Sequence, residues 1–179
     1  TLSDLIKHSC NDGLMQIGAL LGPEEFLKYQ KIFNFGSTTG IDLPGEATGI
    51  LHSEENLSSG STELASASFG QGYTCTINGG YYYQPHVVSK IMNEDGDVIK
   101  DIQPVVTKQT VSSDVSALIR QYMGAVMESD GTGATAKVDG YSMGGKTGTA
   151  QKYPREDKKY LVSFIGFAPL DDPQVVVYV

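Results

Sequence analysis

Residues 141–152, YSMGGKTGTAQK, place one lysine between glycines in a segment that otherwise has the composition of a β-strand. Glycine weakens a strand interior, and a frequent reason for it is close approach by a ligand or another backbone. Such an edge could pair with a peptide, while an ammonium group and hydroxyls bind an anion such as a carboxylate. A glycine-rich strand with one solvated lysine is the alternative interpretation. The residues concerned are Lys146, Thr147 and Thr149, with Gly144, Gly145 and Gly148 leaving clearance at the edge.

The Lys-Thr-Gly string is one of three motifs shared by active-serine β-lactamases and penicillin-binding proteins, the others being Ser-x-x-Lys and Ser-x-Asn. Ser9, Cys10 and Asn11 form a Ser-x-Asn string in the expected order, upstream of Lys146. The string lies at a break between helical segments, where side chains can project into a cleft. Capping of the helix that follows is the alternative explanation for Ser9 and Asn11.

Apolar spacing and turn residues predict the helical elements that must position these groups. A first helix covers residues 1–7, and a second resumes at Gly13 after the Ser-x-Asn break. A third follows with Pro23 in its first turn, joined to the second at Gly22. The string GIDLPGEATG at 40–49 is rich in turn residues and predicts a surface loop.

One more helix and a series of strands follow. The helix begins at a Ser112 or Ser113 cap, carries an apolar stripe and stops by Gly131. Two strands around an Asp-Gly turn are predicted within residues 79–102, and two more in the strings YLVSFIGFA and QVVVYV, after the strand that carries Lys146. Helices first and hairpins last imply an α+β fold with a largely antiparallel sheet flanked by helices.

Taken together, these segments resemble the transpeptidase domain of class B penicillin-binding proteins, the monofunctional enzymes that cross-link the cell wall. The likeness runs over nearly all of the chain, and the SFGQG and DLPGE strings favour class B over β-lactamases and small carboxypeptidases. It implies the fold that these proteins share with serine β-lactamases, incomplete in this chain. The matching segments, in family order, are TLSDLIKHSCN, GIDLPGEATG, ASFGQG, NGGYYYQPHVV, GTGATAKVDGYSMGGKTGTAQ and VSFIGFAPLDDPQVVV.

The resemblance implies an acyl-enzyme mechanism on the D-Ala-D-Ala end of a peptidoglycan stem peptide. In that mechanism Ser9 would relay a proton toward the leaving group. Asn11 would hydrogen-bond the substrate amide, and Lys146 would hold positive potential over the site. The chemistry requires no cofactor.

The strand that follows the lysine would bind the substrate. By the same resemblance, Thr147 and Thr149 would take the substrate carboxylate. The main-chain N–H of Thr149 would form half of the oxyanion hole, a donor type typically worth about 3 kcal/mol in the transition state. Gly148 would stay bare so that the peptide can dock.

Two features depart from the family pattern. No serine has a lysine three residues later, so the Ser-x-x-Lys nucleophile and its base are not in this chain, and we expect the chain alone not to be acylated. The family also has a helix between the FGQG and NGG segments, whereas Thr76 and Ile77 here follow one another directly. We expect unrecorded residues at this junction rather than a deleted helix. Residues 1–179 are therefore predicted to be the C-terminal part of a transpeptidase domain.

A second group of residues could hold a metal ion. If the Ser-x-Asn turn is extended, alternate side chains face opposite sides, so His8, Cys10 and Asp12 would face away from the cleft. With Cys75, which follows the FGQG loop, they would form a tetrahedral zinc set that fixes the Ser-x-Asn loop from behind. Unconnected residues with free thiols and a Cys10–Cys75 disulfide are the alternatives.

Composition limits the partners. The formal net charge of -8 is spread along the chain, which argues against nucleic acid and against an anionic membrane surface. No apolar run is long enough to span a membrane, and the N-terminus of the sequence has no basic-then-apolar signal pattern. Both ends look cut, so we expect a fragment. The resemblance implies a parent anchored by an N-terminal helix on the extracytoplasmic face of the bacterial membrane.

Several functions fit these features. The resemblance implies a D,D-transpeptidase that binds β-lactams and works with the cell-wall synthesis machinery. A D,D-carboxypeptidase or a β-lactamase on the same scaffold would differ in whether water or an amine takes the acyl group. The missing Ser-x-x-Lys string favours a third alternative, a non-catalytic β-lactam sensor or scaffold. The sequence does not distinguish roles in division, cell shape and sporulation.

Overall fold

A computed structural model of the chain describes residues 1–49, 51, 53, 57, 76–152 and 154–179. All pairings between the described strands are antiparallel, which confirms the predicted α+β class. None of the described helices is both long and apolar enough to cross a membrane. The helices are α1 (Leu2–Lys7), α2 (Asn11–Ile32) and α3 (Ser113–Ala125), with short 3₁₀ turns at Ala134–Ala136 and Arg155–Asp157; the strands are β1 (Tyr81–Tyr83), β2 (Lys90–Met92), β3 (Val98–Asp101), β4 (Val106–Gln109), β5 (Gly144–Gln151), β6 (Tyr160–Ala168) and β7 (Val175–Tyr178).

The two N-terminal helices follow local signals in the sequence. Thr1 and Asp4 form a reciprocal capping box at the start of α1, which satisfies main-chain donors that have no partner inside the helix. Helix α2 is interrupted at Gly22, whose φ of 79° and ψ of 165° are not helical, and Pro23 starts its second half. The predicted pair of helices joined at Gly22 is confirmed, although the first of them already begins at Asn11.

The strand that carries the Lys-Thr-Gly string lies in a three-stranded antiparallel sheet ordered β5-β6-β7. Strand β5 pairs with β6 in an unbroken register, from Gly144 opposite Phe167 to Gln151 opposite Tyr160. Helix α3 packs against both β5 and α1, so it brings the strand and the Ser-x-Asn turn to the same place. The core between these elements contains buried Ile77, Met123 and Phe167, with Ile119 and Leu170 packed beside them.

Helix α3 begins as predicted and ends earlier than its apolar stripe. The Ser112 hydroxyl accepts a hydrogen bond from the N–H of Val115 at 3.3 Å, which is the expected cap. The helix ends at Ala125, but Val126 and Met127 remain buried, at 0% and 3% exposure. The stripe therefore continues into a turn that stays packed against the core.

Polar side chains of α3 anchor the segment that leads into the NGG string. The Ser116 hydroxyl, fully buried, donates to the carbonyl of Thr76 at 2.6 Å and accepts from the N–H of Gly79 at 2.9 Å. The Arg120 guanidinium donates to the carbonyl of Ile77 at 2.8 Å. These bonds attach residues 76–79 to the helix that also supports β5.

The predicted hairpin within residues 79–102 is partly right. Strands β2 and β3 form it, with Lys90 opposite Asp101. Strand β1 belongs elsewhere, because it pairs with β4, with Tyr81 opposite Gln109. The sequence analysis predicted neither β4 nor its pairing with β1. Alternation reports which face of a strand is buried but not which distant strand lies beside it.

The loop predicted at residues 40–49 contains no helix or strand, as expected. Two carboxylates hold it in place. Glu46 accepts from the hydroxyl and the N–H of Thr39 at 2.5 and 2.6 Å, and Asp42 accepts from the N–H of Val87 at 2.7 Å. These hydrogen bonds lower the pKa of both acids, because they stabilise the ionised form.

Two of the strand glycines serve packing, which corrects the prediction that they leave clearance for a ligand. A Cβ atom on Gly144 would lie 2.5 Å from Cζ of Phe167, and one on Gly145 would lie 2.4 Å from Cζ of Phe164. Both glycines are buried, because aromatic rings of the neighbouring strand occupy the space beside them. Gly148 is buried as well, and its role in substrate docking stays a prediction.

Gly144→Ala tests this packing. The added methyl group must displace the Phe167 ring, so we expect the free energy of unfolding to fall by about 1–3 kcal/mol, as overpacked cores do. Urea unfolding measures the change. Ala150→Ser, exposed on the same strand, is the control and should shift stability by less than about 0.5 kcal/mol. An unchanged or raised stability for Gly144→Ala would contradict the packing explanation.

Candidate active site

Helix α1 ends in a turn that forces Ser9 into the left-handed region, with φ of 50°. The N–H of Cys10 donates to the carbonyl of Leu5 at 2.9 Å, and the N–H of Ser9 donates to that of Ile6 at 3.3 Å. This is the Schellman arrangement, which normally places glycine at the position that Ser9 occupies. The left-handed backbone is strained for any residue that has a side chain.

Lys146 of β5 reaches this turn. Its ammonium group donates hydrogen bonds to the Ser9 hydroxyl and, at 3.1 Å, to the main-chain carbonyl of Thr147. Burial lowers the pKa of Lys146 below its ordinary value of 10.5, because the charged form loses hydration. A lysine with a lowered pKa gives up its proton more readily. Since the Ser9 oxygen accepts from Lys146, the Ser9 proton can be donated to another group.

The main-chain groups of Thr147 and Thr149 point away from β6. In an antiparallel pair, opposed residues that exchange both main-chain hydrogen bonds alternate with opposed residues that exchange none. The N–H of Lys152 donates at 2.8 Å to the carbonyl of Lys159, the next pair in the β5–β6 register. The even-numbered residues of β5 therefore bond to β6. The odd-numbered ones direct N–H and C=O to the other edge, which has no strand partner among the described residues.

The side chain of Thr147 contacts a residue that the sequence patterns did not single out. The Thr147 hydroxyl donates to the Thr132 hydroxyl at 3.2 Å, and the Thr132 hydroxyl donates to the carbonyl of Lys7 at 3.1 Å. The sequence signal that could have identified Thr132 is its position between two glycines just after the end of α3. It lies inside the matched GTGATAKVDGYSMGGKTGTAQ segment, but only the packing of α1 against α3 shows what Thr132 touches.

Lys7 joins the same region from the last turn of α1. Its ammonium lies 2.6 Å from carboxylate oxygens of both Glu128 and Asp130, and its side chain is only 11% exposed. The hydrogen bonds to Asp130 and Glu128 raise the pKa of Lys7, because they stabilise the charged form. The end of α1 is thus attached by an ion-pair cluster to the turn that follows α3.

The structure brings Ser9, Lys146 and Thr147 together, and the roles assigned to these three residues stay predictions. Asn11 is the first residue of α2 and is exposed, and Thr149 is exposed on β5. The roles assigned to Asn11 and Thr149 by resemblance stay predictions.

The described residues do not assemble the predicted zinc set. No three His, Cys, Asp or Glu side chains within the described ranges form a group that could hold a metal ion, and this search includes His8, Cys10 and Asp12. The extended backbone assumed for the whole string is wrong, because α2 begins at Asn11 and Asp12 lies in its first turn. Cys75 is outside the described residues, so zinc binding and the Cys10–Cys75 disulfide stay predictions.

Ser9 offers a test of the strained turn. Ser9→Gly and Ser9→Ala both remove the hydroxyl, but only glycine adopts the left-handed conformation without strain. We expect Ser9→Gly to be more stable than Ser9→Ala by about 1 kcal/mol in urea unfolding. At Ser142, exposed and outside the positive-φ positions, the same comparison should favour alanine. Equal stabilities of the two Ser9 variants would count against the strained turn.

The lowered pKa of Lys146 predicts a pH dependence of stability. Between the folded-state pKa and 10.5, the unfolded chain binds a proton that the folded chain lacks, so this residue's contribution to stability rises with pH. The free energy of unfolding of Lys146→Met should therefore exceed that of wild type by most near neutral pH, and this difference should shrink as the pH approaches 10.5. Urea unfolding across this range measures the difference. Lys152→Met, an exposed lysine after the same strand, is the control, and the same slope in both variants would refute the assignment to Lys146.

Known proteins match this chain along its whole length. Residues 1–179 match the family model of the penicillin binding protein transpeptidase domain. The chain is 43% identical over 196 residues to stage V sporulation protein D of Bacillus subtilis (strain 168), an alignment that covers 100% of this chain and 30% of that protein.

Solved structures agree with the family match. The D,D-transpeptidase domain of a peptidoglycan glycosyltransferase from Eggerthella lenta superposes with a TM-score of 0.86 at 28% identity, covering 99% of this chain and 47% of that one. Penicillin binding protein 3 from Mycobacterium tuberculosis, in complex with aztreonam, gives 0.81 at 28% identity, covering 99% and 44%. The chain thus spans less than a third of the B. subtilis relative and less than half of these two solved chains. With the motif geometry described above, these matches confirm the resemblance: the chain belongs to the transpeptidase domain family of class B penicillin-binding proteins.

Proposed function

We propose that the chain forms the Ser-x-Asn and Lys-Thr-Gly side of the active site of a peptidoglycan D,D-transpeptidase. The enzyme would cross-link stem peptides that end in D-Ala-D-Ala through an acyl-serine intermediate, and β-lactams would inhibit it. The observation that carries the proposal is the hydrogen bond from Lys146 to Ser9, beside a strand edge that no described strand covers. The solved relatives add support, since one is a D,D-transpeptidase domain and another binds aztreonam, a β-lactam.

The Lys146–Ser9 pair would serve as a proton relay. During acylation the attacking serine loses its proton to its own base, and the leaving nitrogen must gain one. Neither the attacking serine nor its base is in this chain, which has no Ser-x-x-Lys string. Ser9 would donate its hydroxyl proton to the leaving nitrogen and take one from Lys146 along their hydrogen bond. The lowered pKa of Lys146 supports this step, because a donor works best with a pKa near the working pH.

The open edge of β5 would bind the substrate. The outward N–H of Thr149 supports its role in an oxyanion hole, which requires donors that are fixed before the charge develops. The Thr147 and Thr149 hydroxyls would donate to the substrate carboxylate, and the Asn11 amide would bind the peptide group of the stem. Gly148, buried between the two threonines, would let the peptide approach the backbone. No cofactor takes part in this scheme.

The family match supports a proposal for the cellular setting. A penicillin-binding protein acts on the cell wall, so we place the site on the extracytoplasmic face of the bacterial membrane, with the cell-wall synthesis machinery as partners. Among division, cell shape and sporulation, the 43% identity to stage V sporulation protein D favours sporulation. Transfer to water in a carboxypeptidase or β-lactamase would use the same residues of this chain, so the acceptor has to be established by experiment.

Fluorescent penicillin tests the proposal on the full-length gene product that carries this sequence. We expect a covalent adduct, seen by gel fluorescence and by intact mass, that persists for longer than the labelling reaction takes. Ser9→Ala and Lys146→Ala should slow its formation by about 10²- to 10⁴-fold, the range typical of lost general acid–base catalysis. Lys152→Ala, exposed and away from the Ser9 contact, is the matched control and should label at the wild-type rate.

The other outcomes identify other functions. A protein that forms no adduct would support the non-catalytic sensor or scaffold and would overturn the proposal. Fast release of hydrolysed penicillin would indicate a β-lactamase. Stem-peptide assays with an added amine acceptor separate the remaining pair, because a transpeptidase forms the cross-linked amide whereas a carboxypeptidase releases only the shortened peptide.

A further inference from the structure

Two separate connections join β5 to the end of α1. The first is the hydrogen bond from Lys146 to Ser9. The second runs from the Thr147 hydroxyl to the Thr132 hydroxyl, at 3.2 Å, and on to the carbonyl of Lys7, at 3.1 Å. Lys146 and Thr147 are neighbours in β5, and Lys7 and Ser9 are close together at the end of α1. The two connections therefore close a ring through the candidate active site.

The turn that presents Thr132 is tightly constrained. The N–H of Gly133 donates to the carbonyl of Val126 at 3.0 Å, and the N–H of Gly131 donates to that of Glu128 at 2.9 Å. A Cβ atom on Gly131 would lie 2.2 Å from the Val126 oxygen, so only glycine fits there. Buried Val126 anchors this turn to the end of α3, so packing and main-chain hydrogen bonds hold the backbone that presents Thr132.

The same turn holds Lys7 in two ways. The Glu128 and Asp130 carboxylates bind the Lys7 ammonium, each at 2.6 Å. The N–H of Thr132 donates to the Lys7 carbonyl at 3.2 Å, beside the bond from the Thr132 hydroxyl. The turn is thus bound both to the Lys7 ammonium and to the Lys7 carbonyl, and these contacts set the position of Thr132 relative to Ser9.

We infer that Thr132 is a positioning residue of the proposed active site, which aligns the Thr147 hydroxyl with the Ser9–Lys146 pair. The inference rests on the proposed function, because Thr147 is proposed there to bind the substrate carboxylate. Thr132 acts on the substrate through Thr147.

The count of hydroxyl protons shows how Thr132 would act. A threonine hydroxyl has one proton, and Thr132 gives its proton to the Lys7 carbonyl, which can only accept. Between the two hydroxyls Thr147 must then be the donor, so its proton points away from an incoming anion. When a carboxylate arrives, the Thr132 hydroxyl can turn and donate to Thr147, while the Thr132 N–H still satisfies the Lys7 carbonyl. Thr147 is then both supported and able to donate to the carboxylate.

A double-mutant cycle on the full-length gene product tests the inference. The rate constant for labelling by fluorescent penicillin is measured for Thr132→Val, Thr147→Val and the double variant. We expect Thr132→Val to lower it by about tenfold, the effect of losing one hydrogen bond that orients a binding group. In the Thr147→Val background the same change should cost less than about twofold, because Thr132 then has no hydroxyl to orient.

Two further variants serve as controls. Thr132→Ser keeps the hydroxyl and should retain labelling within about twofold of wild type. Thr107→Val removes another threonine hydroxyl that donates to a main-chain carbonyl, that of Tyr82 at 3.0 Å. This variant should have the wild-type rate constant for labelling. Equal losses from Thr132→Val in both backgrounds would indicate a general structural role and overturn the inference, as would no loss in either. If wild type itself forms no adduct, the proposed function fails instead, so the two failures are distinguishable.

Discussion

The ammonium group of Lys146 is held between a strand and the end of a helix, partly out of water, with the Ser9 hydroxyl as its partner. A cation in that position loses hydration, and the depressed pKa of the lysine expresses this loss. Ser9 adds a second cost, because the residue whose hydroxyl accepts from the lysine has a left-handed backbone that favours glycine. Both features reduce stability at the place where the proposed chemistry needs them, a pattern common at functional sites. The packing around them has to offset these costs.

That packing comes from α3 and from the close approach of β5 to β6. Helix α3 contacts both α1 and β5, and its C-terminal turn binds Lys7 through two carboxylates. Gly144 and Gly145 make room for the rings of Phe167 and Phe164, so the strand lies tightly against its neighbour. The position of the lysine is therefore fixed by the packing of β5 against β6 and by the contacts of α3 with α1 and β5.

A single strand presents its groups in three directions. The Lys146 side chain lies on one face, the Thr147 and Thr149 side chains lie on the other, and the outward main-chain groups of the two threonines lie along the edge. In the proposed function these directions correspond to the proton relay, the carboxylate and the oxyanion. A shift of one residue in the β5–β6 register would turn each side chain to the opposite face and direct the main-chain groups of the two threonines toward β6. The unbroken register therefore matters to the site.

The sequence by itself determined the features that depend on neighbouring residues: the capped start of α3, the break at Gly22 and the β2–β3 turn. The order of the motifs also indicated a shared site for Ser9 and Lys146, but through the family resemblance and not through local interactions. The sequence could not predict that β1 pairs with β4 or that two glycines of β5 accommodate phenylalanine rings. Nor did it single out Thr132, whose partners come from α1 and β5. Caps and turns are set by interactions a few residues apart, whereas these other contacts join residues distant in the chain, so only the packing of whole elements decides them.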